Sequence, residues 1–162
     1  MKVDLIGSSA PLGFFDPLGF SSKADAATLA KYRESELKHG RVAMLAVLGY
    51  LSAERWHPLY DGKLGVDGNP LKAWAELPAE AGVQIVAFCG LIEYTFASVA
   101  KANKDYTPGD FYGIGGRIRD KNDPSWVDFQ TRELNNGRLA MFAILGEIAH
   151  TAINGQGTRK NI

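Results

Sequence analysis

Two short stretches of the chain place a carboxylate, an imidazole or amide, and an arginine in the same order. The first set is Glu36, His39 and Arg41, and the second is Glu133, Asn136 and Arg138. A bare metal ion needs several protein ligands that converge on one point, whereas these donors are single and spread along the sequence. They suit instead a magnesium held in a flat four-nitrogen macrocycle, which needs only one axial oxygen or nitrogen. The pattern therefore favours several bound pigments over one metal site.

The two sets belong to an internal repeat with an offset of 97 residues. Residues 36–49 and 133–146 are identical at 9 of 14 positions. Self-similarity of this kind indicates two copies of one structural unit. Each copy enters a long run of Ala, Leu and Met without proline, which predicts a helix.

The spacing within each copy decides which ion pairs can form. Glu36 and Arg41 lie about 140° apart around a helix, so they cannot comfortably pair with each other. If the two helices pack face to face, Glu36 reaches Arg138 and Glu133 reaches Arg41. The alternative interpretation is a solvated, charged start to two amphipathic helices, but the same charge order in both copies favours reciprocal pairs across a pseudo-two-fold axis.

Three further polar side chains stand singly within apolar stretches, namely Gln84, Glu93 and His150. Each is a candidate single donor, and the alternative for each is a satisfied buried polar group, which the sequence alone favours for Gln84. No His-Glu-x-x-His, P-loop or G-x-S-x-G motif is present. Three histidines and one cysteine cannot supply a usual zinc cluster. We therefore predict no enzymatic activity.

Composition predicts one domain over residues 1–162 and no nucleic-acid partner, because 18 Lys+Arg balance 18 Asp+Glu. A mean hydropathy of −0.13 suggests a soluble protein, yet such averages score paired charges as if they were exposed. Residues 81–100 carry a single charge, Glu93, and both repeat helices continue with few charges. Charges inside a membrane segment are tolerated when paired. We expect three membrane-spanning helices, at approximately 33–54, 78–101 and 125–153.

The connecting segments set the expected topology. Residues 1–30 are predicted to be irregular, and residues 61–77 and 105–123 are predicted to be loops. Pro78 should open the second span, and Asn154-Gly155 should end the third. An aromatic cluster after the first span is typical of a membrane interface; its residues are Trp56, His57, Pro58 and Tyr60. Basic residues are concentrated in the N-terminal region and the second loop, which places the N-terminus on the cytoplasm-equivalent side.

These motifs resemble the light-harvesting chlorophyll-binding superfamily of thylakoids. The resemblance rests on Glu-x-x-His/Asn-x-Arg-x-Ala-Met in two copies around a middle span that contains a Glu. Phe15-Asp16-Pro17-Leu18-Gly19, the short loops and the length are most similar to the red-lineage branch. That branch holds the fucoxanthin and peridinin chlorophyll a/c proteins and the red-algal-type photosystem I antennae.

The resemblance implies an all-α membrane protein whose first and third helices cross as a pseudo-two-fold pair. It implies chlorophyll ligands at Glu36, His39, Glu93, Glu133, Asn136 and His150, a further site at Gln84, and structural ion-pair arginines at Arg41 and Arg138. Expected cofactors are chlorophyll a, chlorophyll c and carotenoids such as fucoxanthin, peridinin or a related xanthophyll. Grooves for the carotenoids are expected where small residues leave room, at Ala46, Gly49, Ala143 and Gly146.

The expected function is absorption of light and transfer of excitation energy to a photosystem. Expected partners are the photosystem core, with photosystem I favoured, neighbouring antenna subunits and thylakoid lipids, with the N-terminus on the stromal side. One alternative is a photoprotective member of the same superfamily that dissipates energy. Another is a small membrane transporter built on parallel repeats with charges near the midplane.

Overall fold

The computed structural model of the protein describes residues 6–11, 13–54, 69–102, 106–110 and 124–155. Over these residues the chain is helical and forms no strand. The helices are α1 (Phe20–Lys23), α2 (Ala26–Ala53), α3 (Pro70–Ala75), α4 (Ala79–Ala102) and α5 (Pro124–Asn154). The three long helices correspond to the three predicted helical segments.

The ends of the long helices follow from local chemistry. Asp25 caps α2, because its carboxylate accepts a hydrogen bond from the backbone N–H of Thr28 at 3.0 Å. Pro78 directly precedes α4, a position where proline is common, and its carbonyl accepts from the N–H groups of Ala81 and Gly82 in the first turn. Gly155 follows α5 with a φ of 68°, a left-handed conformation that stops a helix at little steric cost.

Two short helices correct the sequence-based expectation of irregular segments. Within residues 1–30, α1 forms because the Asp16 carboxylate accepts from the N–H groups of Phe20 (3.0 Å) and Ser21 (2.8 Å). Within residues 61–77, α3 forms because Asn69 accepts from the N–H groups of Leu71 and Lys72. Residues 1–30 are predicted to be irregular and residues 61–77 to be a loop, but in each segment one polar side chain, Asp16 or Asn69, accepts from the first N–H groups of a short helix.

Hydropathy and charge identify one of the described helices, α4, as long and apolar enough to cross a membrane. Its most apolar window has a mean hydropathy of 1.6, and none of that window is buried within the chain.

The chain divides into two compact units. The first comprises Met1–Arg41 and Phe96–Leu139, and the second comprises Val42–Thr95 and Ala140–Ile162. In the first unit the buried residues include Gly7, Gly40, Leu134 and Gly137. In the second they include Ala43, Tyr50, Asn69 and Thr151.

A few polar contacts hold the second unit together. The Tyr50 hydroxyl donates to the carbonyl oxygen of Glu147 at 3.3 Å and shares a hydrogen bond with the hydroxyl of the buried Thr151. The Asn69 amide that caps α3 also donates to the carbonyl oxygen of Gly155 at 3.1 Å. One buried side chain therefore joins the start of α3 to the end of α5.

Candidate functional site

Two glutamate–arginine pairs in the first unit connect α2 to α5. The Arg41 Nε donates to the Glu133 Oε1 at 2.7 Å, and the Arg138 Nε donates to the Glu36 Oε1 at 2.7 Å. Each glutamate thus pairs with the arginine of the other repeat and not with the arginine of its own helix. This is the reciprocal arrangement that the spacing predicts.

A pair of glycines explains how the two helices come close enough for these ion pairs. Gly40 and Gly137 occupy equivalent positions in the repeat, and both are buried. A Cβ placed on Gly40 would lie only 2.9 Å from the Cα of Gly137, and the reverse also holds. Both glycines belong to the repeated motif, but their spacing alone did not predict this contact.

Two loop glycines lie against the paired arginines. The Gly7 carbonyl accepts from the Arg138 Nη1 at 2.6 Å, and Gly109 lies against Leu37 and Arg41. Both have positive φ values, 83° and 87°, and each packs so closely that a side chain there would clash. The segments 6–11 and 106–110 thus each cover one end of an ion pair.

Glu36 has a second arginine partner that sequence reasoning missed. The Arg33 Nη1 donates to the Glu36 Oε2 at 2.9 Å, and the Arg33 Nη2 donates to the carbonyl oxygen of Ile6 at 3.0 Å. Arg33 lies three residues before Glu36, a spacing that brings side chains together on a helix, so the signal was present in the sequence. The equivalent position before Glu133 is Gln130.

A cavity of about 210 Å³ opens beside the Arg41–Glu133 pair within the first unit. Its lining combines these two residues with Arg33, Asp110, Gln130 and the apolar side chains of the adjacent loop and helices. The cavity therefore offers both an apolar surface and free space next to the charged groups.

His39 is exposed on α2 with one ring nitrogen already occupied. Its Nδ1 lies 2.8 Å from the carbonyl oxygen of Ser35, one turn earlier. A carbonyl can only accept, so the Nδ1 carries the proton and the Nε2 keeps a free lone pair. A ligating histidine is usually held in this way. Asn136, at the equivalent position of α5, is exposed.

The remaining predicted donors lie in the second unit. Gln84 and Glu93 are exposed on α4. His150 is half-buried on α5, and its buried Nδ1 has no hydrogen-bond partner among the described residues. A buried imidazole nitrogen without a partner carries a desolvation cost of about 1–3 kcal/mol, which a bound group could relieve. His57 lies outside the described residues.

The ion pairs are only partly buried within the polypeptide. The exposed fractions of their side chains are 29% for Glu36, 38% for Arg138, and 35% for both Arg41 and Glu133. In contact with water, each pair would contribute only about 0–1 kcal/mol to stability. The stabilisation from each pair therefore depends on whether its exposed part is shielded from water.

Outside the long helices, the clearest electrostatic feature is the cap of α1. Hydrogen bonds from the hydroxyl and the backbone N–H of Ser21 hold the pKa of Asp16 below its usual value of 3.8. Hydrogen bonds from Thr28 lower the pKa of Asp25 in the same way. Both carboxylates therefore favour their charged form at helix starts, as expected from the helix dipole.

The donor set suits a group that brings most of its own metal ligands. In the part of the chain that the structure describes, no cluster of three or more His, Cys, Asp or Glu side chains could hold a bare metal ion. The single donors are accompanied by exposed apolar side chains on the same helices, such as Leu45 at 71% and Phe142 at 77%. Gly49 and Gly146 face open space. The residues therefore fit flat apolar macrocycles with one axial ligand each.

Comparisons with known proteins agree with this chemistry. The model of the "Chlorophyll A-B binding protein" family matches residues 2–152. Fucoxanthin-chlorophyll a-c binding protein B of Phaeodactylum tricornutum is 36% identical, over 90% of this chain and 76% of that protein. A fucoxanthin-chlorophyll a-c binding protein of Chattonella marina var. antiqua is 39% identical, over 94% and 71%. Protein F of the same type in Macrocystis pyrifera is 34% identical, over 93% and 75%.

The chain belongs to the chlorophyll A-B binding protein family, since the family model covers most of its length. The resemblance to the light-harvesting superfamily and to its red-lineage branch is confirmed.

Proposed function

Starting from this family membership, we propose that the chain is a light-harvesting antenna protein. It binds chlorophylls and carotenoids and passes excitation energy to a photosystem. The observation that carries the proposal is the pair of reciprocal Glu–Arg contacts, in which each carboxylate is compensated by the opposite helix. A compensated carboxylate can serve as an axial oxygen donor in an apolar environment, where an isolated charge would be too costly.

The cofactors we propose are chlorophyll a, chlorophyll c and fucoxanthin or a related carotenoid, in line with the names of the relatives. The residues proposed to hold chlorophyll are Glu36, His39, Glu93, Glu133, Asn136 and His150, with Gln84 as a further candidate. When bound, these pigments supply the absorption of visible light. The chain itself fixes their positions, orientations and local dielectric; no enzymatic step is needed.

We propose a single domain with three membrane spans, formed by α2, α4 and α5. The charged first halves of α2 and α5 are compatible with this because their glutamates and arginines are paired. The contact between Gly40 and Gly137 supports a crossing of α2 and α5 about a pseudo-two-fold axis, since equivalent residues of the repeat meet there.

The proposed location is the chloroplast thylakoid membrane, with the N-terminus on the stromal side. The proposed partners are neighbouring antenna subunits, thylakoid lipids and a photosystem core, with photosystem I preferred. The relatives are named as chloroplastic, which supports the compartment.

Reconstitution with pigments tests the proposal directly. The chain is refolded in detergent with chlorophylls a and c and fucoxanthin, purified, and its pigments are quantified by chromatography. We expect several chlorophylls per chain, and carotenoid excitation should produce chlorophyll fluorescence. A purified, helical chain without bound pigment would contradict the proposal, and a strongly shortened fluorescence lifetime would favour a dissipating role.

A further inference from the structure

The two repeat-related glutamates, Glu36 and Glu133, have unequal surroundings. Both oxygens of Glu36 accept a hydrogen bond from an arginine, one from Arg138 at 2.7 Å and one from Arg33 at 2.9 Å. Glu133 accepts from Arg41 through its Oε1, and within the described residues its Oε2 has no polar partner. The repeat is therefore symmetric in its motif but not in its charges.

The difference in formal charge is one unit. Counting only the described arginines that are hydrogen-bonded to each carboxylate, Glu36 with its two arginines sums to +1, whereas Glu133 with Arg41 sums to zero. Each hydrogen bond from a guanidinium withdraws electron density from the carboxylate oxygen that accepts it. Glu36 can therefore offer a metal only an oxygen that already accepts from an arginine, while Glu133 offers an oxygen that accepts from no described residue.

We propose that Arg33 makes the two carboxylates inequivalent as pigment sites, so that Glu36 is the weaker axial donor and its chlorophyll differs in absorption energy from that at Glu133. This inference rests on the proposed function. Partners of a ligating residue tune the bound group through donor strength and nearby charge. Arg33 is thus a positioning residue that acts through Glu36, and in an antenna such an energy difference biases the direction of excitation transfer.

The surroundings of the two glutamates can be exchanged by matched single substitutions at positions 33 and 130. Arg33 and Gln130 hold equivalent positions, three residues before their glutamates, and both line the cavity of about 210 Å³. The cavity leaves space for a longer side chain at position 130. Gln130→Arg should therefore give Glu133 a second arginine, and Arg33→Gln should leave Glu36 with one while keeping a neutral hydrogen-bond donor.

The test compares low-temperature absorption spectra and pigment release rates of reconstituted complexes. Glu36→Leu and Glu133→Leu first assign the absorption band of each site by its loss. We expect Arg33→Gln to shift only the Glu36 band and Gln130→Arg to shift only the Glu133 band, while Arg33→Lys, which keeps the positive charge, should shift the Glu36 band less than Arg33→Gln does. In either single variant the release rates of the two chlorophylls should become more similar, with their ratio falling by about two- to five-fold. This is the change expected from one partly exposed charge interaction.

Two outcomes would overturn the inference while the proposed function stands. In the first, the parent chain binds pigment but neither single variant moves its assigned band. In the second, Arg33→Gln disturbs all bands alike and Gln130→Arg changes nothing, which would indicate that Arg33 acts only through its hydrogen bond to Ile6. Failure of the parent chain to bind pigment would instead overturn the proposed function.

Discussion

At the scale of single residues, the number of arginine partners of each glutamate determines how much stability is lost when one arginine is removed. Arg138→Leu leaves Glu36 paired with Arg33, whereas Arg41→Leu removes from Glu133 the arginine that it pairs with among the described residues. We predict that Arg41→Leu costs about 1–3 kcal/mol of complex stability and that Glu133→Gln added to it restores part of the loss. Glu36→Gln should rescue Arg138→Leu to a smaller extent, because less charge is stranded there.

Pigment yield and thermal unfolding of the reconstituted variants measure these effects. Arg132→Leu is the control, because Arg132 forms an exposed pair with Asp128 on the same helix and its loss should cost about 0–1 kcal/mol. Better rescue of Arg41→Leu by Glu36→Gln than by Glu133→Gln would refute the crossed pairing.

His39 offers a second test at this scale. His39→Leu keeps the volume but removes the free Nε2, so we expect the complex to lose about one chlorophyll and to keep its fold. Ser35→Ala should retain that chlorophyll, because the Nδ1 is held by the Ser35 backbone carbonyl. His150→Leu should behave like His39→Leu. Unchanged pigment stoichiometry in His39→Leu would exclude this residue as a required ligand.

At the scale of helices, the closest contact lies between Gly40 and Gly137. Gly40→Ala or Gly137→Ala would force the helices apart, and we predict a loss of about 1–3 kcal/mol together with weaker pigment binding. Gly90→Ala on α4 is the control, since a Cβ there meets no atom within 4 Å. Thermal unfolding of the complexes measures the difference, and equal melting temperatures for Gly40→Ala and Gly90→Ala would contradict the close crossing.

The start of α1 should be sensitive to acid. The pKa of Asp16 is lowered in the folded chain by the hydrogen bonds from Ser21. A lowered pKa contributes stability that is present above the ordinary value of 3.8 and is lost as the pH falls through the lower folded value. We expect the Phe20 and Ser21 amides to lose hydrogen-exchange protection in that range. Asp16→Asn should weaken this protection at neutral pH and remove its acid dependence.

The sequence predicted the three long helices and the reciprocal pairs because both depend on periodic spacing. It failed for α1 and α3, where Asp16 and Asn69 act as caps in segments that composition describes as loops. It also missed the contact of Gly40 with Gly137, since a close approach of two backbones leaves no pattern in hydrophobicity. Arg33 was overlooked because the motif was compared between the repeats, and Arg33 is present in only one of them.

At the scale of the whole molecule, the proposed three spans make a prediction about sidedness. Two of the proposed spans, α2 and α4, separate residues 6–11 from residues 106–110, which places both segments on one face of the membrane and α3 on the other. In the first unit these two segments lie against the paired arginines, which fits a common side. The only cysteine, Cys89, is exposed on α4 and would face lipid.

Cysteine labelling in thylakoid-derived membranes tests that arrangement. In a Cys89→Ser background, an impermeant maleimide added from the stromal side should label Ser9→Cys and Thr107→Cys. Ala75→Cys, on α3, should react only after the membrane is opened. The parent Cys89 should resist the impermeant reagent until detergent is added, because the lipid would cover it. Labelling of Ala75→Cys in intact membranes, at a rate equal to that of Ser9→Cys, would contradict both the orientation and the number of spans.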